Sequence, residues 1–184
     1  MTAPRPAAEV RRSLLRAAAH LYTTGGVYSV RSVAAEAGVN HGQVHHLFGG
    51  KKGLTQAMFE DLGRQLLERI EERVAGKAAP EFLHAAATAL IEDDRFARAL
   101  ARQVADASSA PSFQEHFPVV EAMLERLEDL GPDARPLVAE GLARTLGWAL
   151  FAPWIRRATG LDAGGVAAIE ARLGEMPAEV SDGR

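Results

Sequence analysis

Residues 29–51, with the sequence SVRSVAAEAGVNHGQVHHLFGGK, predict two short helices joined by a tight turn. The first apolar residues of this stretch recur at the spacing of one helix face. Gly38 follows them directly, at the position where a helix C-terminus favours a residue that tolerates positive φ. Asn40 then suits an N-cap, and Gln43 stands three residues later, as in a capping box. Together these signals predict a helix-turn-helix whose second helix stops at the Gly-Gly pair 49–50.

The second helix of this pair has an unusually polar surface. Gly42 inside a helix costs about 1 kcal/mol relative to Ala, so a helix selected only for stability would avoid it. A helix that approaches another surface closely, in contrast, needs small and hydrogen-bonding side chains, and the major groove of DNA is such a surface. The candidate DNA contacts on this helix are His41, Gly42, Gln43, His45 and His46.

Length and composition limit the class of protein. The chain has 184 residues, which suits one large or two small domains with a proper core. It contains no cysteine, and this excludes disulfide and thiol chemistry. No apolar run follows the charges of the N-terminus, so we expect no signal peptide. The longest uncharged apolar stretch near the C-terminus, residues 145–155, is too short to span a bilayer. We therefore expect a cytoplasmic protein that does not enter a membrane.

Charge is distributed unevenly along the chain. Residues 1–54 carry a formal charge of +5, and the remainder carries −8. A basic N-terminal third on an acidic body predicts that the N-terminal part meets a polyanion, with Arg5 available to a phosphate. The alternative is that these basic residues only solvate the exposed faces of two helices.

The rest of the chain also predicts helices. Residues 7–24 have an amphipathic pattern that packs a first helix against the pair, and residues 51–74 predict one long helix. Further helical patterns continue to about residue 175, among them one over residues 113–130 and a later one with a kink at Pro153. No segment alternates with period two, so we predict no sheet.

We therefore predict an all-α fold of about nine helices. Its N-terminal part is a three-helix helix-turn-helix DNA-binding domain over residues 7–54. A helical body follows over residues 55–176, and residues 1–6 and 177–184 are flexible tails.

The residues around the helix-turn-helix resemble the TetR/AcrR family of bacterial transcriptional regulators. The resemblance covers about residues 14–62 and depends on the pattern S-V-R-x-V-A-x-x-A-G-V-N-H-G-x-V-H-x-x-F-G-x-K-x-x-L after a Gly-Gly pair. Residues 147–153, with the pattern G-W-x-x-F-x-P, are similar to a segment of helix 8 in some members. The resemblance implies a homodimer that binds an inverted-repeat operator in double-stranded DNA. It also implies that the body binds a small ligand and dimerises through its last two helices.

The resemblance adds roles to individual residues. Ser29 is expected to cap the first helix of the pair and to contact a phosphate. Arg31 is expected to reach the DNA backbone or a guanine, the alternative being a solvated surface arginine. His41, Gln43 and His45 are the candidates for base edges, unless Gln43 is used by the capping box.

Phosphate contacts are expected from neighbouring positions. His46 and Lys51 are the strongest candidates, while Asn40 is first a cap and second a phosphate contact. Family members often carry Tyr where this chain has His45 and Leu47, so the phosphate footprint is expected to be smaller here, or more sensitive to pH. His41 and His45 also have the i, i+4 spacing of metal ligands. No cysteine or carboxylate lies nearby on that face, so we expect no metal.

The body supplies candidates for a ligand pocket on its middle helices. An apolar lining would suit a hydrophobic or aromatic small molecule, with polar contacts from groups such as Arg102 and Arg126; the alternative is that these apolar residues are simple core. The candidate lining consists of Phe96, Leu100, Val104, Phe113, Phe117, Met123 and Leu127.

The last two helices carry more large apolar residues than one helix pair buries alone. A second copy of the chain is expected to cover them, although half of them could instead face the core of the monomer. The candidate dimer interface consists of Leu142, Leu146, Trp148, Phe151, Ile155, Val166, Ile169 and Leu173.

The sequence thus favours a ligand-responsive repressor that a small, largely apolar molecule releases from a palindromic operator. A DNA-binding regulator without small-molecule control, or an activator, is the alternative within the same class. An enzyme or carrier with an incidental helix-turn-helix is the alternative from another class. No HExxH motif, GxSxG motif or phosphate-binding glycine loop is present, so we expect neither catalysis nor a cofactor.

Overall fold

The computed structural model describes residues 5–74, 78–106 and 114–175. Within those residues the secondary structure is helical and contains no strand, so the predicted all-α fold is confirmed. A 3-10 segment, Glu128–Asp133, lies between α7 and α8. The helices are α1 (Ala7–Thr23), α2 (Val30–Glu36), α3 (Gly42–Phe48), α4 (Lys51–Val74), α5 (Ala79–Glu92), α6 (Arg95–Ala105), α7 (Pro118–Arg126), α8 (Ala134–Thr159) and α9 (Ala163–Leu173).

One predicted helix is wrong. The pattern over residues 113–130 predicts a continuous helix, but α7 begins only at Pro118 and ends at Arg126. A proline is well placed at a helix start, because its missing N–H would have no partner there. The Glu121 carboxylate accepts a hydrogen bond from the Phe117 backbone N–H at 2.9 Å and so closes that start. The other proline at issue, Pro153, lies within α8, which continues to Thr159; the kink there stays a prediction.

The chain divides into two compact units. Unit 1 consists of Met1–Leu62 and Arg98–His116, and unit 2 consists of Gly63–Ala97 and Phe117–Arg184. The helices α4 and α6 therefore contribute residues to both units. The functional boundary between residues 54 and 55 stays a prediction.

In unit 1, α1 packs against α2 and α3. The inward faces of these helices and of the first half of α4 exclude water almost completely, and burial of each large apolar side chain contributes roughly 1.5–3 kcal/mol. The residues with the least exposed surface are Leu14, Ala18, Val33, Val44, Leu54, Met58 and Phe59.

Unit 2 has its own cores. The larger one joins α5, α7 and α8 with the second half of α4 and the start of α6, and Phe82 and Ile70 are its fully buried centre. A smaller cluster joins α5, α8 and α9 through Ala87, Trp148 and Leu173. Within the described residues, no helix is long and apolar enough to cross a membrane.

Candidate nucleic-acid interface

The start of α2 is capped as predicted. The Ser29 Oγ accepts a hydrogen bond from the Ser32 N–H at 3.1 Å, and the Ser32 Oγ accepts one from the Ser29 N–H at 2.9 Å. This is a reciprocal capping box with serine in place of the usual Glu or Gln. At the other end, Gly38 has φ +61°, the left-handed conformation predicted for this position.

The start of α3 differs from the prediction. The Asn40 Oδ1 accepts a hydrogen bond from the Gly42 N–H at 2.8 Å, while the Gln43 N–H donates to the Asn40 carbonyl at 3.0 Å. The predicted capping box between Asn40 and Gln43 is therefore wrong. The short Asn side chain reaches the N–H two residues on, because His41 already has helical φ and ψ. The exposed Gln43 side chain takes no part in the cap.

Gly42 has a local structural reason as well as the predicted one. A Cβ atom at this position would lie 3.2 Å from the Asn40 Oδ1, which is a tight contact. Glycine therefore lets Asn40 close the helix start, and it also leaves the backbone of α3 open to a neighbouring surface.

Few buried side chains hold helix α3 in place. Val44 is its one fully buried residue, and Phe48 lies under the Arg11 guanidinium at 5.4 Å from the ring centroid. A Cβ atom at Gly53 would lie 1.9 Å from the Phe48 carbonyl oxygen, so the junction of α3 and α4 requires glycine there. Sequence reasoning overlooked Gly53, because a glycine in the first turn of a helix is an ambiguous signal.

The predicted DNA contacts share one property, which is access to solvent. Ser29 is half-buried by its capping bonds. The exposed members of the set are Arg31, Asn40, His41, Gly42, Gln43, His45, His46 and Lys51. The helix is thus not turned inward, and it presents donors and acceptors of the kind that pair with base edges and phosphates.

Arg5, expected to be free for a phosphate, already has partners. Its guanidinium donates to the Ala37 carbonyl at 3.4 Å and to the Gly38 carbonyl, at the turn between α2 and α3. These carbonyls end a helix and lack helical partners, so a cation is favourable there.

A second group of side chains, all in unit 1, lies behind the candidate contacts. The Lys51 ammonium is 5.6 Å from the centroid of the Tyr28 ring, which meets the Tyr22 ring edge-on at 4.6 Å. Burial raises the pKa of Tyr28 to about 12, so its phenol keeps its proton at neutral pH. Arg102 donates to backbone carbonyls at the end of α1. Arg102 thus has a structural role, and its expected role as a polar contact for a ligand stays a prediction.

The residues of the predicted pocket lining differ in their burial, and the pocket itself stays a prediction. In unit 2, Met123 and Leu127 are buried in the larger core, as the alternative of simple core predicts, and Phe96 packs against that core. Val104 and Phe117 are exposed, and Phe113 lies outside the described residues. Leu100 is half-buried in unit 1.

The arginine of unit 2 proposed as a polar ligand contact is also engaged. Arg126 donates to the Glu71 carboxylate at 2.6 Å, and its guanidinium lies 3.9 Å from the centroid of the Phe82 ring. An arginine held by both a carboxylate and a ring face is part of the packing of unit 2.

Two residues of the predicted dimer interface are buried within unit 2. Trp148 is 5% exposed and donates through its Nε1 to the Glu170 carboxylate at 3.2 Å, and Leu173 is buried beside it, so for these two the prediction is wrong. Hydrophobicity alone does not show which apolar side chains of such a helix face the core of the monomer and which face outward. The remaining predicted residues except Phe151 pack against the two cores of unit 2: Leu142, Leu146, Ile155, Val166 and Ile169.

A different face of α8 and α9 is open. Phe151 is 59% exposed, and Trp154, which sequence reasoning overlooked, is 70% exposed. Gly147 precedes them at helical spacing, and a Cβ atom there would contact nothing. On α9 the exposed residues at this spacing are small: Ala163, Ala167 and Ala171.

Comparisons with known proteins agree with this architecture. A family model described as bacterial regulatory proteins, tetR family, matches residues 14–58. An HTH-type transcriptional repressor of Mycobacterium tuberculosis is 37% identical over 161 residues, which cover 84% of this chain and 79% of that protein.

Two solved structures share the fold. A TetR family transcription regulator from Marinobacter aquaeolei VT8 has a TM-score of 0.63 at 18% identity, with 91% of this chain and 93% of that chain covered. The SmeT–triclosan complex has a TM-score of 0.54 at 18% identity, with 93% of each chain covered.

Proposed function

Because this chain belongs to the TetR family of bacterial regulatory proteins, a family of DNA-binding transcriptional regulators rather than enzymes, we propose that it is a homodimeric repressor. It binds an inverted-repeat operator in double-stranded DNA in the cytoplasm, and a small, largely apolar molecule releases it. The similar Mycobacterium tuberculosis protein is named a transcriptional repressor, which supports the sign of regulation.

The observation that carries DNA binding is the exposed surface of α3. His41, Gln43 and His45 are exposed and serve as the contacts to base edges, with Gln43 free to pair with adenine because the cap does not use it. His46 and Lys51 contact phosphates and thus set the register of the helix on DNA. Around them, Ser29, Arg31 and Asn40 complete the footprint.

The open face of α8 and α9 supports the homodimer. Two exposed aromatic rings, Phe151 and Trp154, are the kind of residue that is enriched in interface cores. The small residues of α9 allow a second helix pair to approach closely. In a two-fold dimer the same face of each copy meets the other. To read both half-sites of the operator, the two copies of α3 must lie about one turn of DNA, roughly 34–36 Å, apart.

A solved structure of the same fold supports the small-molecule effector. SmeT, which shares this fold, was solved as a complex with triclosan, so the fold accommodates a small molecule. Regulation without a ligand, or activation, is the alternative that the effector experiment addresses.

The decisive experiment is selection of binding sites from random duplex DNA by the purified full-length protein. An inverted repeat whose preference at one position is relaxed by Gln43→Ala is the expected result. A collection without any common sequence would contradict specific recognition, and a lack of retained DNA would contradict the function as a whole. Screening apolar compounds for release of the selected duplex then tests the effector.

A further inference from the structure

We propose that Arg102, in α6, is a positioning residue for DNA binding that acts on Lys51. It acts through the rings of Tyr22 and Tyr28, which connect the two cations. This inference rests on the proposed function, in which Lys51 contacts a phosphate of the operator. All four residues lie in unit 1.

The first link is the hold of Arg102 on the end of α1. Its Nη1 donates to the carbonyls of Leu21 at 3.0 Å and Tyr22 at 2.9 Å, and its Nη2 donates to the Gly26 carbonyl at 3.0 Å. The last carbonyls of a helix have no helical partners and carry the negative end of the helix dipole. The planar fork of arginine donates from two nitrogens in a fixed geometry, whereas a lysine has one nitrogen and no fixed fork. The turn that leads from α1 to α2 is therefore held by a residue far along the chain.

The second link is the hold on the Tyr22 side chain. The Arg102 guanidinium lies 4.8 Å from the centroid of the Tyr22 ring, within the range of a cation–π contact. The next residue, Gln103, is buried and accepts the hydrogen bond of the Tyr22 hydroxyl. Two consecutive residues of α6 thus hold both the face and the hydroxyl of one ring.

The third link passes from Tyr22 to Tyr28. The two ring planes meet at 84° with centroids 4.6 Å apart, an edge-to-face arrangement that aromatic pairs favour. The Tyr28 hydroxyl lies 3.0 Å from the Thr55 Oγ1, which itself donates to the Lys51 carbonyl at 2.9 Å. The Thr55 hydroxyl has one proton, which it donates to the Lys51 carbonyl, so the Tyr28 hydroxyl is the donor in its contact with Thr55. The Tyr28 ring is consequently held by the Tyr22 ring and through its own hydroxyl.

The last link is the contact between Tyr28 and Lys51. The Lys51 ammonium lies 5.6 Å from the centroid of the Tyr28 ring at the start of α4, and the side chain is exposed. A free lysine side chain loses much rotamer freedom when it binds a phosphate. A lysine already held over a ring has lost part of that freedom before DNA arrives, so binding is stronger. Loss of Arg102 releases Tyr22, then Tyr28, and so removes this advantage.

A double-mutant cycle on DNA affinity tests the proposal. Full-length Lys51→Ala, Arg102→Ala and the double variant are titrated against a fluorescent duplex that the unmodified protein selected from random DNA, with folding checked by circular dichroism. Each single variant is expected to bind about tenfold more weakly. The double variant is expected to lose about the same tenfold, because the second change removes an advantage that the first has already removed. The control is Arg135→Ala, which removes an equal charge from an exposed position on α8. Its effect on DNA affinity is expected to add to the effect of Lys51→Ala.

The salt dependence of binding gives a second readout, which separates the positioning of Lys51 from a direct phosphate contact by Arg102. Loss of a phosphate contact lowers the slope of log affinity against log salt by about one for each contact. The slope is expected to fall by about one in Lys51→Ala and in the double variant, and to stay unchanged in Arg102→Ala, because the freed Lys51 still binds its phosphate in the complex. Arg102→Lys, which keeps the charge but not the fork, is expected to restore only part of the affinity.

A pair of variants at Tyr28 keeps the proposal testable if Arg102→Ala fails to fold. Tyr28→Phe keeps the ring under Lys51 and is expected to bind DNA within about twofold of the unmodified protein. Tyr28→Leu removes the ring and is expected to lose about tenfold, with no further loss when Lys51→Ala is added.

The outcomes separate this proposal from the function on which it rests. If Lys51→Ala weakens binding but the double variant loses about a hundredfold, the two residues act independently and Arg102 does not position Lys51. Equal binding by the Tyr28→Phe and Tyr28→Leu variants would overturn the proposal in the same way. If Lys51→Ala leaves affinity and salt slope unchanged, the phosphate contact in the proposed function is wrong.

Discussion

The recognition helix α3 and the long helix α8 use their side chains in opposite ways. In α3 one fully buried residue, Val44, anchors seven residues whose other side chains are mostly polar and exposed. In α8 many apolar residues pack inward, and those left outside include the aromatic rings of Phe151 and Trp154. A helix that enters a polar groove needs a polar outer face, and few buried side chains hold it in place. A helix that packs against a second copy of the chain can keep apolar side chains on its surface.

The largest expected effect follows from placing a charge on the outer face of α8. Trp154→Glu would bury an unpaired carboxylate in the proposed dimer, which is expected to cost about 4 kcal/mol of association free energy. Light scattering after size-exclusion chromatography should then find a monomer at concentrations where the unmodified protein is a dimer. Affinity for the inverted repeat should also fall, because each helix-turn-helix then binds DNA alone.

The control for this variant lies on the same helix. Arg156→Glu changes the charge at an exposed position of the last turn of α8, where only the helix dipole is affected, by up to about 1 kcal/mol. A dimer that survives Trp154→Glu would mean that the outer face of α8 lies outside the interface.

The two helices also differ in how far the sequence predicts them. Both ends of α2 and the C-terminal end of α3 depend on neighbours within a few residues, so Ser29, Gly38 and Gly49 identified them. The inward face of α8 depends on α5, α7 and α9, which pack against it, and an apolar helix offers no polar stripe to mark the outside. For this reason Trp148 was assigned to the wrong partner and Trp154 was overlooked.

The same reasoning explains what was missed in the candidate site. The capping box at Asn40 depended on one backbone torsion at His41 that composition does not reveal. Contacts such as that between Arg102 and α1 join residues about eighty positions apart, and no local pattern announces them. Short-range chemistry can be predicted from sequence, but the partners of long side chains require the fold.

Because few buried side chains hold α3, its junction with α4 is sensitive to substitution. Gly53→Ala places a Cβ atom 1.9 Å from the Phe48 carbonyl oxygen, so the backbone must shift, at an expected cost of about 3 kcal/mol. Operator affinity should fall by more than about a hundredfold, since the displaced helix no longer matches the groove. Urea unfolding and DNA titration measure the two losses.

A glycine in the body of α8 provides the comparison. Gly141→Ala adds a Cβ atom that contacts nothing and should raise stability by up to about 1 kcal/mol through helix propensity. Equal effects of Gly53→Ala and Gly141→Ala on unfolding would show that the junction of α3 and α4 is no tighter than an open helix.

The tyrosine behind α2 and α4 predicts a change of stability at alkaline pH. Burial raises the pKa of Tyr28 from 10.0 to about 12, so the folded state holds this proton more tightly than the unfolded state does. The resulting stability, roughly 2–3 kcal/mol, is complete below pH 10 and is lost as pH rises through about 12. Absorbance of tyrosinate, compared for the folded protein and in denaturant, should show the shift directly.

Tyr28→Phe separates the stability that depends on ionisation of the phenol from the stability that the hydrogen bond to Thr55 contributes. At about pH 8 the variant should be less stable by about 1 kcal/mol, because the buried Thr55 hydroxyl loses a partner. Towards about pH 12 the difference should shrink and then reverse, since phenylalanine has no proton to lose. A constant difference across this range would mean that Tyr28 ionises equally in both states.

The smallest effects distinguish the two residues at the start of α3. Asn40→Ala removes the side-chain oxygen that accepts the Gly42 N–H and should cost about 1 kcal/mol, the usual value of an N-terminal cap. Gln43→Ala should cost less than about 0.5 kcal/mol, because the exposed Gln43 side chain takes no part in the cap. In a reciprocal capping box both changes would destabilise, so chemical denaturation of the two variants decides between the arrangements.

The same two variants should differ in the opposite sense in DNA binding. Gln43→Ala is expected to relax base preference at one position, whereas Asn40→Ala is expected to lower affinity for all sequences alike. Stability would then depend on Asn40, which precedes α3, and specificity on Gln43, which lies within it.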